Sequence, residues 1–207
     1  GIGDAVNLAW KLAAVLRNQM AGDLLDSYEQ ERIPFAQRLV ATTDRAFTFV
    51  TRRSAVSRFV RTRVAPLVVP LLFRIPPVRR AMFETVSQIL IHYRDSSLSD
   101  GQAAEVRGGD RLPWIDLGTE RDNFAPLASL AWQVHIYGEA APGVSEACQA
   151  LQLPLHVFGW QPRMQSAGLA EGALYLIRPD GYVALGDAHA DVDRLGAYFR
   201  APSPARQ

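Results

Sequence analysis

Cysteine and lysine are almost missing from this chain of 207 residues. Cys148 stands alone, and Lys11 is the single lysine beside 21 arginines. One cysteine excludes a disulfide framework, a C-x-x-C redox pair and any zinc site built on thiolates. Long apolar runs are also missing. The longest, Val64 to Phe73, is about half of the roughly 20 residues that a membrane-spanning helix needs, and it holds two prolines. Charge of one sign is not in excess: the net charge of +1 gives no overall field that would call for a nucleic-acid partner. No secretory leader is visible, and the chain opens Gly-Ile-Gly-Asp rather than on methionine. That opening leads us to expect a piece of a longer chain, with a cytoplasmic location.

Hydrophobic residues make up 48% of the chain, enough for one fair core or two small ones. Charge is unevenly placed, at +5 over residues 1–100 and −4 over 101–207. Texture changes at the same point, where Asp95-Ser-Ser-Leu-Ser-Asp-Gly-Gln is rich in turn formers. We therefore expect four segments: a helical one over 1–94, a linker over 95–112, a folded module over 113–200 and a tail over 201–207.

The first segment reads as helices. Ala5, Leu8, Leu12 and Leu16 recur at steps of three and four, which puts them on one helix face. Asp4 is placed to cap that helix, and Gly22 to end it. A second helix is expected from about Asp23 to Phe49, with a kink or restart at Pro34. An arginine-rich helix should follow over Arg52 to Arg63, then the proline-broken apolar run, then a helix from Val78 to Tyr93. The second segment alternates. Strands are expected over 130–137, 155–158, 175–177 and 182–185, with helices over 144–151 and 190–199. Pro179-Asp180-Gly181 makes the hairpin turn between the last two strands.

Few residues suggest chemistry. Gly1-Ile2-Gly3-Asp4, opening a helix, can present backbone amides and a dipole's positive end to a negative or electron-rich group. It can equally be an ordinary glycine turn, because Val6 stands where a dinucleotide G-x-G-x-x-G needs its third glycine. His92, His135, His156 and His189 are scattered, and His135 reads as a packed strand residue. The acidic run Asp187 to Asp193 reads as a helix cap rather than a cation loop, since it lacks the glycine and distal glutamate of an EF-hand. No Gly-x-Ser-x-Gly elbow is present. The arginines from Arg52 to Arg80 could meet nucleic acid, but stems that cover apolar surface under solvated heads explain them better. We thus expect no metal, no nucleic acid, no membrane span and no catalytic side chain within the chain.

The string GIGDAVNLAWKLAAVL followed by LLDSYEQER, at residues 1–32, resembles the flavin-binding signature of the class A FAD-dependent aromatic monooxygenases, in their phenol hydroxylase-like and polyketide hydroxylase branch. Gly1, Asp4, Ala5, Asn7, Leu8, Trp10, Lys11, Leu12, Leu25, Tyr28, Glu31 and Arg32 match in order. His92-Tyr93 with Ser96, Gly109-Asp110-Arg111 and Leu176 to Gly181 look like later landmarks, so the resemblance reaches almost to Phe199. It implies an α+β architecture: a helical remnant of the FAD-binding domain followed by a thioredoxin-like α/β module that lacks redox cysteines. It also implies FAD as cofactor, NAD(P)H as the parent's reductant and an aromatic small molecule as substrate. Gly1, Ile2 and Gly3 would be the tail of the loop at the flavin ring, with Asp4 as its cap and Asn7 a turn further in, holding the loop. The dinucleotide fingerprint is missing, so the chain alone should be inactive. The face bearing Leu8, Leu12 and Leu16 would lack its cover, which favours self-association through residues 1–93. A non-enzymatic, thioredoxin-like interaction domain is the alternative.

Overall fold

A computed structural model describes residues 1–51, 54–79, 91–118 and 121–200. The chain forms two compact units, one made of residues 1–31 with 92–207 and the other of 32–91.

In the first unit, α1 (Ile2–Leu16) is followed by a 3-10 turn (Gly22–Leu25) and the start of α2 (Asp26–Thr51). The helix ends earlier than Gly22 suggests. Asn18 adopts a left-handed φ of 56°, a conformation asparagine tolerates, and the Gln19 amide turns back to the Ala14 carbonyl. Ala14, Leu24 and Leu98 form a small core there.

The rest of this unit is a six-stranded sheet of β1 (Asp100–Ala103), β2 (Val106–Arg107), β5 (Gln133–Tyr137), β6 (Leu155–Phe158), β7 (Leu174–Ile177) and β8 (Val183–Asp187), in the order β2-β1-β8-β7-β5-β6. A separate ribbon pairs β3 (Asp116–Gly118) with β4 (Arg121–Asp122). β5 and β6 run parallel across α5 (Val144–Ala150), whereas β7 is antiparallel to both β5 and β8. β5, β7 and β8 are buried on both faces; β7 is an unbroken apolar run, whereas β5 buries Gln133 and His135 and β8 ends on Asp187. Leu174, Leu176, Val134 and Ile136 meet α5 and α7 (Val192–Arg200) on one face. Tyr175, Ile177 and Tyr137 meet Leu112, Ile115 and the short α6 (Pro162–Ser166) on the other. The hairpin turn forms where expected, with the Gly181 amide bonded to the Arg178 carbonyl at 2.9 Å. β1, which pairs in parallel with β8, was not expected; it lies with β2 inside residues 95–112.

The second unit continues α2, whose helix is assigned through Pro34 without a restart. α3 (Ala55–Phe59), a π turn (Val60–Val64) and α4 (Ala65–Leu72) follow. The Pro-broken apolar run is therefore largely helical. Pro66 sits in the first turn of α4, where its missing N–H costs nothing, and Pro70 lies inside the helix. No residue of α4 is buried. Most of the helix expected over Val78 to Tyr93, with Met82, Val86, Ile89 and Leu90, lies outside the described residues, as do Arg52, Arg53 and Arg80. Tyr93 itself is not helical but a buried residue of the first unit. Among the described residues, no helix is long and apolar enough to cross a membrane.

Candidate functional site

The N-terminus of α1 offers backbone amides as donors. Gly1 occupies the cap position, and the first helical bond runs from the Ala5 amide to the Gly1 carbonyl at 3.0 Å. The Ile2 and Gly3 amides precede that bond and point out of the helix end. Asp4 is therefore not the cap. It sits in the first turn of the helix. A side chain at Gly1 would meet nothing within 4 Å in this chain. Donors, a positive dipole end and a neighbouring carboxylate together fit an electron-rich carbonyl or ring nitrogen. They fit a multiply charged phosphate poorly, because Asp4 would repel it.

The buried face of α1 is not the apolar one. Asn7, Lys11 and Ala14, at steps of four and three, face inward, while Val6, Leu12 and Leu16 stay exposed. The inversion has a cause further along the chain. Glu31, in the first turns of α2, accepts five hydrogen bonds. Its Oε1 takes Ser96 Oγ at 2.7 Å and Arg178 Nη1 at 2.6 Å. Its Oε2 takes Asn7 Nδ2 at 2.6 Å, Lys11 Nζ at 2.8 Å and Arg178 Nη2 at 2.9 Å. Arg178 turns its other edge to Asp180, with Nε to Oδ1 at 3.0 Å and Nη2 to Oδ2 at 2.7 Å. Asp180 Oδ2 also accepts the Trp10 indole N–H at 3.0 Å and Asn7 Nδ2 at 3.3 Å.

One guanidinium thus makes two forks on two carboxylates, and two cations balance two anions out of water. Such a cluster holds only when every member is paired. Burial lowers the Lys11 pKa to about 8, helped by the nearby Arg178 charge and opposed by Glu31. Burial alone would raise the Glu31 pKa, but the Arg178 and Lys11 charges and hydrogen bonds outweigh it and hold the carboxyl at about 2. Burial likewise works against the charged Arg178, yet Asp180 and Glu31 move its pKa above the ordinary arginine value. At neutral pH all three are ionised.

Aromatic rings close the cluster. The guanidinium carbon lies 5.2 Å from the Trp10 centroid, 5.5 Å from Tyr93 and 5.8 Å from Tyr182. Tyr93 and Tyr182 pack at 4.3 Å. Gly109 holds Tyr93 in place: its carbonyl accepts the Tyr93 amide at 2.7 Å and its amide donates to Val183. Asp110 clamps Arg94 through 2.7 and 3.1 Å bonds. The later landmarks of the resemblance therefore converge on the same place as Lys11 and Glu31, a meeting that spacing along the chain could not reveal.

Other candidates resolve simply. His135 is buried in β5 between Gln133 Oε1 and the Tyr137 hydroxyl, and burial, with a smaller contribution from His156, lowers its pKa to about 3, so it stays neutral. Asp191 caps α7 through the Asp193 and Arg194 amides, and Asp187 accepts the His189 amide and the Arg194 guanidinium. Cys148 is buried, which pushes its thiol pKa up. Among the described residues, no three His, Cys, Asp or Glu side chains gather to hold a metal.

Residues 1–43 match the FAD binding domain family. The chain is 29% identical to a 6-methylpretetramide 4-monooxygenase of Streptomyces rimosus, over 97% of this chain and 40% of that protein. It is 30% identical to a tetracenomycin A2 monooxygenase-dioxygenase of Streptomyces glaucescens, over 95% of this chain and 36% of that one. The chain belongs to the class A FAD-dependent aromatic monooxygenase family. A solved structure of BexE, studied for oxidation during BE-7585A biosynthesis, superposes with a TM-score of 0.67 at 28% identity, covering 99% of this chain and 40% of that one. The chain thus spans about two fifths of the length of these relatives. FAD is the cofactor of this monooxygenase family, and α1 with most of α2 is the part of this chain that matches its FAD-binding domain.

Proposed function

We propose that this chain is the C-terminal part of an FAD- and NAD(P)H-dependent monooxygenase that hydroxylates an aromatic substrate. The observation that carries the reading is identity with monooxygenases of 29% and 30%, sustained over 97% and 95% of the chain. Residues 1–94 are then the end of the FAD-binding and substrate region. Residues 95–112 connect it to a thioredoxin-like domain at 113–200 and lend β1 and β2 to the sheet, and the tail expected over 201–207 lies outside the described residues. The order β6-β5-β7-β8, with β5 and β6 parallel across α5 and a β7-β8 hairpin leading into α7, supports the thioredoxin-like assignment. With Cys148 as the only cysteine, that domain performs no dithiol chemistry.

Gly1, Ile2 and Gly3 would hold the flavin ring, where the bound FAD supplies the redox and oxygen chemistry. The Ile2 and Gly3 amides and the helix dipole favour negative charge at an acceptor placed there, and they are fixed before that charge arises. Asp4 keeps this end from becoming a general anion trap. Asn7 does not reach toward the ligand but ties α1 down through Glu31 and Asp180. Self-association through residues 1–93 fits the exposed Leu67, Leu71 and Phe73.

The test compares the isolated chain with its complete gene product. The chain alone purifies colourless. The complete protein carries FAD, oxidises NAD(P)H and places one atom of isotopically labelled dioxygen on an aromatic product. A yellow isolated chain with stoichiometric FAD overturns the incomplete site, and an unlabelled product overturns the monooxygenase reading.

A further inference from the structure

The Arg178–Asp180 turn lies at the tip of the β7-β8 hairpin, yet its side chains are spent on the first two helices. Arg178 gives two hydrogen bonds to Glu31, and Asp180 accepts from Trp10 and Asn7 of α1. Lys11 closes the loop on Glu31. Asn7, Trp10 and Lys11 occupy consecutive inward positions on α1, within two turns and a half of the Ile2 and Gly3 amides. A helix is stiff over that length, so whatever fixes Asn7 to Lys11 fixes the direction in which the amides point.

The turn has no alternative employment. Pro179 and Gly181 set its backbone, and the Arg178 amide bonds to the Tyr182 carbonyl at 2.8 Å. Tyr93 and Tyr182 wall in the guanidinium. Each element of the cage comes from the part of the chain after residue 92, except the two helices it grips.

Resting on the flavin reading above, we infer that Arg178, with Asp180, is a positioning residue. The hairpin of the C-terminal module sets the place of α1, and through it the amides that meet the cofactor. The module is then part of the flavin site's support and not an appendage that serves association alone. Lysine cannot replace Arg178, because one ammonium cannot make two planar forks on two carboxylates.

The test uses Arg178→Lys and Asp180→Asn, which keep most of the bulk and remove the double fork or one of its anions, in this chain and in the complete monooxygenase. In this chain, amide hydrogen exchange across residues 5–16 rises about tenfold or more in both variants, while β5, β7 and β8 keep their protection. In the complete enzyme, flavin absorption and FAD affinity change with no loss of sheet protection. Unchanged exchange in α1 overturns the inference. So does a uniform loss through α1 and sheet together, which would make Arg178 a fold residue only. Gly3→Asp, which adds a carboxylate to the helix end proposed to meet the flavin, separates the two readings. If Gly3→Asp weakens FAD binding and Arg178→Lys does not, the positioning role fails. If Gly3→Asp is silent, the flavin placement fails.

Discussion

α1 and α4 are both helices with an apolar majority, and they treat water in opposite ways. α1 buries Asn7 and Lys11 and leaves Leu12 and Leu16 exposed. α4 has the sequence APLVVPLL and buries nothing. Residue class therefore does not decide burial here; the presence of a partner does. Lys11 can leave water because Glu31 and Arg178 are already in place, whereas Leu67 stays exposed among the described residues of its own unit. A helix apolar all round belongs in an interior, and among the described residues α4 lacks one.

The strongest way to break this contrast is to remove one member of the cluster. Arg178→Met strips Glu31 of two hydrogen bonds and leaves Asp180 without its cation. We expect a loss of about 3–5 kcal/mol in chemical denaturation, the usual cost of leaving a buried charge unpaired. A loss below about 1 kcal/mol would mean that water enters the cluster freely.

Acid sharpens the same point. The folded Glu31 carboxyl titrates near 2, below its ordinary value of 4.5. Its contribution is therefore complete above about pH 4.5 and is lost as the pH falls through 2. Integrated over that window it amounts to about 3 kcal/mol. Thermal melts between pH 5 and 2 check this, as the slope must flatten in Glu31→Gln.

Much of the sheet was legible because its physics is local. Leu174 to Ile177 and Val183 to Leu185 are apolar runs flanking Pro179-Asp180-Gly181, and turn chemistry fixes that pairing. β1 was not legible, since Asp100-Gly-Gln-Ala is polar and takes its place by parallel pairing with β8, more than eighty residues on. Asp4 looked like a cap because capping preferences are short-ranged, yet the cap is Gly1, three residues earlier, and the helix begins at Ile2. The buried face of α1 was hidden for a different reason. Periodicity finds apolar stripes, and the stripe that matters carries Asn7 and Lys11, whose partners lie 20 to 173 residues away. The resemblance named these residues individually without showing that they meet.

A gentler perturbation falls on Gly109. Its φ is +88°, and a Cβ there would come within 2.4 Å of the Tyr93 backbone. Gly109→Ala must strain the loop and shift Tyr93 away from the guanidinium, at a cost of about 1–3 kcal/mol. Near-ultraviolet circular dichroism of the Tyr93–Tyr182 pair reports it, and an unchanged spectrum would show that the loop gives way elsewhere.

The smallest effect on stability belongs to α4, and it is the one that completes the comparison. Leu67 and Leu71 are 76% and 61% exposed. Converting both to serine removes no contact of the kind that Arg178 makes, so each change costs the folded monomer less than about 0.5 kcal/mol. The same pair should nevertheless lower self-association in sedimentation runs, because their apolar area is what a second copy would cover. If the double variant unfolds the chain, α4 is packed in solution and the contrast with α1 disappears. If it leaves both stability and association unchanged, the cover of α4 comes from another part of the complete enzyme.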